Sequence, residues 1–165
     1  MIKLVWVTDN NDIIGHSDLA HHDPAAATRP AGLDAEINRI FIADNIVVGK
    51  TTLPLCTDYI PHYKSFYVLT RDKNFTVADH ANLSVIHDPQ ELVTKYQDSK
   101  ETLLVGGGKA IWELFLPHAS ELIIALIDSH PGDLKFDAWR SVKKTKYNEV
   151  DWKNGKTHYY AIHRK

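Results

Sequence analysis

The chain has 165 residues, of which 44% are hydrophobic and 24% charged, and its formal net charge is −2. These values indicate one soluble globular domain, residues 1–165, with a substantial core. No block of like charges favours nucleic acid or a membrane surface as a partner, and the apolar N-terminal run is too short for a signal peptide. The single cysteine, Cys56, excludes an intrachain disulfide and a metal site built on cysteines. Because no run approaches transmembrane length either, we expect a cytoplasmic protein, and nothing in the sequence suggests more than a monomer.

Six apolar segments, rich in β-branched residues, have the character of strands covered on both faces. They are residues 2–8, 45–49, 65–70, 83–87, 102–106 and 121–128. Helical patterns lie between them at 33–43, 88–98 and 109–116, and the second opens with Asp88 and Pro89, a suitable N-cap and first helical residue. Strands that alternate with helices predict an α/β fold with a mostly parallel sheet.

The pattern changes after Phe136, because residues 141–165 alternate between apolar and polar side chains. "NGK" at 154–156 is a turn signal, which predicts a terminal antiparallel hairpin at the sheet edge. The expected fold is therefore a three-layer α/β domain whose mostly parallel central sheet has about eight strands and ends in this hairpin.

Residues 16–32 have little periodicity, two prolines and many small residues, which is typical of a long loop. His16, His21, His22 and Asp23 are metal ligands by type. Their spacing matches no helical pair of ligands, so we predict no metal site.

Three predicted strands end in residues that suit a phosphate. "LLVGGGKAIW" (103–112) runs from a strand through three glycines into a helix, "IVVGKTT" (46–52) ends in Gly49 and Lys50, and "YVLTRDK" (67–73) ends in Thr70 and Arg71. Glycines let the backbone approach a phosphate, and a helix N-terminus attracts anions. Neither the P-loop pattern nor the dinucleotide fingerprint is present. Ligands bind at the carboxyl ends of parallel strands, so we predict a phosphate monoester such as the 2′-phosphate of NADPH at this edge.

Five short motifs in order resemble the dihydrofolate reductase family along nearly the whole chain. They are "MIKLVWVTDNNDIIG" (1–15), "VVGKTT" (47–52), "YVLTRD" (67–72), "LLVGGGKAIWELFLPHASELIIALID" (103–128) and "GDLKFD" (132–137), where Asp137 replaces the family's proline. The resemblance implies a divergent reductase that uses NADPH to reduce 7,8-dihydrofolate to tetrahydrofolate, by hydride transfer with protonation at N5.

The resemblance also implies which residues bind the cofactor. Lys50, Thr51, Thr52 and Arg71 would hold the 2′-phosphate and pyrophosphate, beside Gly49, Leu69 and Thr70. Gly107 and Gly108 match the family's glycine pair, and Lys109, Ala110 and Ile111 would start the helix under the pyrophosphate. Trp112 would lie beside the nicotinamide, with Val7, Ile14 and Gly15 lining its pocket.

The substrate side departs from the family. Its single carboxylate, which holds the pterin and assists the proton, aligns with Leu33, and a gap of one residue would make Asp34 the catalytic acid. Asp23 and Glu36 are less favoured candidates. The threonine that supports the carboxylate becomes Ala125, and the family's tryptophan becomes His21 or His22. The arginine that grips the glutamate tail has no clear equivalent, and Lys64 is nearest. Other residues implied at the substrate are Val5, Trp6, Ala20, Ile37 and Gly106, the last at an apolar position of the family.

Two alternatives stay open because of these departures. One is a reductase of the same fold that acts on a ribosylamino-pyrimidine of riboflavin synthesis, for which Arg29 and Arg39 are candidate phosphate ligands. The other is an NADPH-binding protein without catalytic activity.

Overall fold

The structure of the chain, a computed structural model, describes residues 1–17 and 29–164. Its strands are β1 (Ile2–Thr8), β2 (Ile13–Gly15), β3 (Asn45–Gly49), β4 (Ser65–Leu69), β5 (Leu83–Ile86), β6 (Leu103–Gly107), β7 (Glu121–Ile127), β8 (Leu134–Lys135), β9 (Lys144–Trp152) and β10 (Gly155–Ile162). The α-helices are α1 (Leu33–Ile40), α2 (Pro89–Tyr96) and α3 (Lys109–Phe115). Short 3-10 helices cover Leu53–Leu55, Thr57–His62, Leu116–His118 and Ala138–Ser141.

Eight strands form one sheet in the order β5-β4-β3-β6-β1-β7-β10-β9, and β2 and β8 form a separate pair. The pairs β5–β4, β4–β3, β3–β6 and β6–β1 are parallel, whereas β10 is antiparallel to both β7 and β9. The predicted α/β fold, with a mostly parallel sheet and a terminal antiparallel hairpin, is thus confirmed.

The structure differs from the sequence prediction in three details. Helix α1 ends at Ile40, because Phe41 leaves the helical backbone conformation. The hairpin turn consists of residues 153 and 154, since Gly155 already pairs with Trp152 in the ladder. The pair β2–β8 was not predicted, because two or three residues are too few to give a periodic pattern.

The described residues fall into two compact units. The first unit comprises Met1–Leu4 and Ile42–Ser120, and the second comprises Val5–Phe41 and Glu121–Lys165. The core of the first unit consists of fully buried apolar side chains from β4, β6, α2 and α3. They are Phe66, Leu92, Leu103, Leu104 and Phe115. Its chain start is held by the Met1 ammonium group, which donates to the carbonyls of Ser99 at 2.8 Å and Glu101 at 2.9 Å.

The core of the second unit is aromatic. Trp6 on β1 meets Phe136 edge-on at 5.0 Å between ring centroids and Trp139 at 5.9 Å. Leu122 and Ile124 of β7 are fully buried in the same unit. Across the described part of the chain, no helix is both long enough and apolar enough to span a membrane.

Candidate active site

The three strand ends that suit a phosphate lie together at one edge of the first unit. Gly49 at the end of β3 pairs with Leu69 at the end of β4, and Val48 pairs with Gly107 at the end of β6. Because these three strands are parallel, the residues that follow them leave the sheet on the same side. We call this edge, with Gly49–Thr52, Leu69–Arg71 and Gly107–Trp112, the strand-end edge.

Gly106 is the extra residue of a bulge in β6. Val47 of β3 pairs with Val105 and Val48 with Gly107, so Gly106 has no partner on β3. A bulge re-aims the residues that follow it. Gly106, the first glycine of the triplet, therefore sets the direction in which the chain leaves β6.

Gly107 has a backbone that only glycine adopts readily. Its φ is +121°, and a Cβ at this position would lie 2.9 Å from Cζ2 of Trp112. The Trp112 ring is fixed there, because its Nε1 donates to the carbonyl of Val105 at 3.0 Å. The peptide bond between Gly107 and Gly108 is cis, and a Cβ on Gly108 would lie 3.6 Å from Oγ1 of Thr52.

The strand-end edge carries three cations, and Lys109 pairs with Glu113 on α3 at 3.7 Å. The other two, Lys50 and Arg71, are in different states. Lys50 forms an ion pair with Asp72, with 2.9 Å between Nζ and Oδ2, and this pair lowers the pKa of the Asp72 carboxyl. Arg71 is exposed and forms no ion pair with any residue that the structure describes. With the hydroxyls of Thr51, Thr52 and Thr70, this donor set fits a dinucleotide phosphate.

In the second unit, the two acidic residues of α1 have opposite surroundings. The Asp34 side chain is 76% exposed and pairs with Arg29 at 2.7 Å, whereas the Glu36 side chain is only 4% exposed. The prediction of Asp34 required a carboxylate in an apolar surrounding, and Asp34 does not meet that requirement. An offset of two residues along α1 turns the acid from the solvent side to the inner side of the helix.

A hydroxyl from the terminal hairpin supports the Glu36 carboxylate. Thr157 on β10 is fully buried, and its Oγ1 donates to Oε1 of Glu36 in a short hydrogen bond. The indole Nε1 of Trp152 donates to the same Oγ1 at 3.2 Å. Because Trp152 supplies the proton for that contact, the hydroxyl proton of Thr157 remains directed at the carboxylate.

Thr157 lies directly opposite Ala125 in the β7–β10 ladder. Ala125 is the position where the family resemblance places a threonine. Residues directly opposite in an antiparallel pair have neighbouring side chains on the same face of the sheet. The hydroxyl missing at Ala125 is thus supplied from the adjacent strand, a solution that the sequence alone did not indicate.

The guanidinium group of Arg39 donates to both oxygens of the Glu36 carboxylate. Nε of Arg39 donates to Oε2 at 2.9 Å, and the terminal NH2 nitrogen of Arg39 donates to Oε1 at 2.5 Å. The Arg39 side chain is 42% exposed and lies over the Tyr159 ring, 5.8 Å from its centroid.

These partners set the pKa of Glu36. Burial raises the pKa of the carboxyl, but the hydrogen bonds from Arg39 and Thr157 and the charge of Arg39 outweigh burial and lower it below its ordinary value. The same contact raises the pKa of the Arg39 guanidinium, so the pair is held in its charged form.

The terminal hairpin holds the start of α1 in place. Asn154 in the hairpin turn donates to the carbonyl of Ala31 at 2.6 Å, just before the helix. A Cβ on Gly32 would lie 3.6 Å from the Trp152 ring, so the two segments are in close contact. The hairpin thus both positions α1 and contributes the hydroxyl that supports Glu36.

The remaining residues implied at the substrate or at the nicotinamide have varied positions. Val5, Trp6, Leu33 and Ala125 are buried, and the Trp6 ring fills the aromatic core. Val7, Ile14 and Ile37 are partly exposed. Lys64, expected to hold the glutamate tail, pairs instead with Glu101. Ala20, His21, His22 and Asp23 lie outside the described residues. Among the residues described, no group of acidic, histidine or cysteine side chains is arranged to hold a metal ion.

Sequence reasoning missed Arg39 and Thr157 as site residues. Arg39 was considered only as a phosphate ligand, although its spacing of three residues from Glu36 on a helix is itself a signal for an ion pair. Thr157 gave no signal, because its role depends on the strand register. Cys56 is half-buried, and burial raises the pKa of its thiol to about 12.

Comparisons with known proteins agree on one family. A sequence model of dihydrofolate reductase matches residues 1–165. The chain is 29% identical to the dihydrofolate reductase of Enterococcus faecium over 161 residues, covering 87% of this chain and 85% of that protein. It is 26% identical to the dihydrofolate reductase of Mycoplasma pneumoniae over 145 residues, covering 83% of this chain and 84% of the other.

A similar solved structure is a dihydrofolate reductase from Enterococcus faecalis, complexed with NADP(H) and RAB-propyl. It superimposes with a TM-score of 0.74 at 19% identity and covers 99% of this chain and 97% of that one. With the fold shared and the family's sequence model matched from end to end, this chain belongs to the dihydrofolate reductase family.

Proposed function

We propose that Glu36 is the carboxylate with which this chain holds the pterin of its substrate and assists protonation at N5. The chain is an NADPH-dependent oxidoreductase that reduces 7,8-dihydrofolate to tetrahydrofolate. The observation that carries the proposal is the burial of Glu36 on the inner side of α1, against an exposed Asp34.

The reaction needs one positioned acid group. Reduction adds a hydride at C6 and a proton at N5, and protonation of N5 makes C6 the better hydride acceptor. A carboxylate shielded from water interacts strongly with a developing positive charge nearby and handles the proton at that nitrogen. Thr157 and Trp152 keep Glu36 in a single orientation, which is the requirement for efficient proton handling.

The strand-end edge is the proposed cofactor site. NADPH, when bound, supplies the hydride. Lys50, Thr51 and Arg71 would bind the 2′-phosphate, and Thr52 with the backbone of Gly107 and Gly108 would bind the pyrophosphate. Lys109, Ala110 and Ile111 begin α3 after these glycines, and Trp112 is the candidate contact of the nicotinamide in this unit. The support is that three strand ends converge there and that a hydroxyl faces Gly108.

A pair of variants tests the assignment of the acid. Glu36→Gln keeps the size of the side chain but removes its charge, and we expect kcat/KM for dihydrofolate to fall by about 10²–10⁴-fold at neutral pH. Asp34→Asn, the matched control on the same helix, leaves the rate within about twofold of the unmodified chain, as expected for an exposed surface pair. The measurement follows NADPH oxidation, with the Kd for NADPH as the check on folding. A large loss in Asp34→Asn with little change in Glu36→Gln would return the role to Asp34.

The riboflavin-pathway alternative needs free cations for a substrate phosphate. Arg29 and Arg39, the residues considered for this role, are each paired with a carboxylate of α1. No observation favours this second substrate over dihydrofolate.

We further propose that residues 1–165 act as one domain and as a monomer in the cytoplasm. The match of the family's sequence model across the whole chain supports the first point. The single cysteine, which cannot form an intrachain disulfide, fits a reducing compartment such as the cytoplasm. Light scattering on the purified chain gives the mass in solution and tests the monomer.

A further inference from the structure

The Glu36 carboxylate has one oxygen whose hydrogen-bonding capacity is full. A carboxylate oxygen has two lone pairs, and Oε1 accepts from both Thr157 and Arg39. Among donors in the described part of the chain, Oε2 accepts only from Nε of Arg39, which leaves it one lone pair. A ligand that needs one acceptor site on each oxygen therefore cannot bind while Arg39 keeps both of its contacts.

The pterin ring of dihydrofolate is such a ligand. Its 2-amino group and the neighbouring N3–H form two parallel donors in one plane. An arginine presents the same pattern with Nε and a terminal nitrogen, and this fork matches both oxygens of a carboxylate. Arg39 and the pterin thus offer Glu36 equivalent contacts.

We propose that Arg39 is an internal competitor of the pterin, which holds Glu36 in the free chain and withdraws when substrate binds. This inference rests on the proposed function, in which Glu36 binds the pterin. Arg39 is a positioning residue here. Its contact with Glu36 lowers the apparent affinity of the carboxylate for a ligand with two parallel N–H donors, such as the pterin.

The surroundings of Arg39 allow it to leave. Its side chain is 42% exposed and extends over the Tyr159 ring on β10. The Tyr159 ring is thus a neighbour of the guanidinium besides Glu36. In contrast, Thr157 is fully buried and keeps its contact with Oε1. Only the guanidinium is free to exchange with a ligand.

The competition reduces the apparent affinity for substrate. When the binding-competent form is only a fraction of the population, the apparent Kd rises by the inverse of that fraction. If the open form is about a tenth of the free chain, removing the competitor tightens binding about tenfold.

The test measures binding of two ligands by quenching of tryptophan fluorescence. One is dihydrofolate, and the other is a plain 2,4-diaminopyrimidine, which has no glutamate tail and carries the paired donors once its ring N1 is protonated. We expect Arg39→Met, which keeps the side-chain length without donors, to lower the Kd of both ligands about tenfold or more. The Kd for NADPH does not change. Arg29→Met, which removes the exposed pair with Asp34, is the matched control and leaves both values unchanged.

Further variants protect the result from a folding defect. Arg39→Lys keeps the charge but loses the bidentate contact, and we expect an intermediate tightening. In the Glu36→Gln background, Arg39→Met has no effect on either Kd, because the competition needs the carboxylate. An unchanged or weakened affinity of Arg39→Met for the diaminopyrimidine, with NADPH binding intact, would overturn the inference. If Glu36→Gln has at the same time lost its activity, the proposed function stands and only the role of Arg39 fails.

Discussion

The strand-end edge and the surroundings of Glu36 are built in different ways. At the strand-end edge, neighbouring parallel strands bring short local motifs together, and the backbone of Gly107 and Gly108 is part of the proposed phosphate site. Around Glu36, the contacts are between side chains, and the hydrogen bond to Thr157 joins residues 121 positions apart. A site of the first kind is encoded in contiguous sequence, whereas one of the second kind depends on tertiary packing.

This difference explains how the substrate side can diverge. A phosphate site that uses backbone groups and strand topology tolerates little change in its glycines. The carboxylate of Glu36 needs a hydroxyl donor in the right place. Ala125 on β7 has no hydroxyl, and Thr157 on the adjacent strand β10 supplies it. Each of the following changes disturbs one side and leaves the other intact.

The largest effect on stability is expected at the strand-end edge. Gly107→Ala places a Cβ where φ is +121° and where Cζ2 of Trp112 is 2.9 Å away. We expect the free energy of unfolding to fall by about 2–4 kcal/mol, from backbone strain and overpacking together. Thermal unfolding then begins about 5–15 °C lower.

Gly108→Ala is the matched control for that change. Its Cβ would lie 3.6 Å from Thr52, an ordinary contact, so stability falls by less than about 1 kcal/mol. We expect its NADPH affinity to fall nonetheless, because a methyl group would then face the cofactor. Equal thermal stability of the two variants contradicts the assignment of strain to Gly107.

The second prediction concerns the hydroxyl beside Glu36. Thr157→Ala removes the buried donor to an ionised carboxylate, which costs about 1.5–3 kcal/mol of unfolding free energy. The double variant Ala125→Thr with Thr157→Ala exchanges the two side chains at directly opposite ladder positions and keeps the total volume. We expect the exchange to recover part of the stability and of the turnover lost in Thr157→Ala. Urea unfolding measures the stability and NADPH oxidation the turnover. If the double variant is no more stable and no more active than Thr157→Ala, a hydroxyl on β7 cannot replace the one on β10, which contradicts the prediction.

Much of the fold was predictable from the sequence, for a physical reason. Apolar β-branched runs identified the strands from β1 to β7, apart from the short β2, with errors of at most one residue at either end. Most of these strands are buried along their length, and only β5 is largely half-exposed. The motifs after β3, β4 and β6 identified the strand-end edge, because topology alone brings their ends together.

The carboxylate was harder to predict, because a helix turns by about 100° per residue and a neighbouring position faces elsewhere. Asp34 and Glu36 both stand near the start of α1, and only the packing of α1 against the hairpin distinguishes them. The role of Thr157 needed the ladder register, which pairs it with Ala125. The spacing of three residues between Glu36 and Arg39 predicts an ion pair on a helix. Its importance for the site became clear only once Glu36 was known to be the buried acid.

The smallest expected effect is a dependence of stability on pH. The pKa of the Glu36 carboxyl is lower in the folded chain than its ordinary value of 4.5, so the unfolded chain takes up this proton first as the pH falls. The stabilisation by ionised Glu36, with Arg39 as its charged neighbour, is therefore complete above about pH 4.5 and is lost as the pH falls through the lower folded value.

Urea unfolding of the unmodified chain and of Glu36→Gln, at a series of pH values from about 7 to about 3, measures this difference directly. We expect the gap between the two free energies to stay constant above about pH 5 and to change in favour of Glu36→Gln below about pH 4.5. Two curves that stay parallel over the whole range contradict the lowered pKa.

The distance in sequence between Glu36 and Thr157 has a consequence for the growing chain on the ribosome. All strands of the first unit have been synthesised once Ser120 is in place, whereas the donor to Glu36 comes 121 residues after the acid itself. Arg39 follows Glu36 by three residues on the same helix. The nascent carboxylate thus has a counter-charge available from the beginning, long before the strand that completes its surroundings has been made.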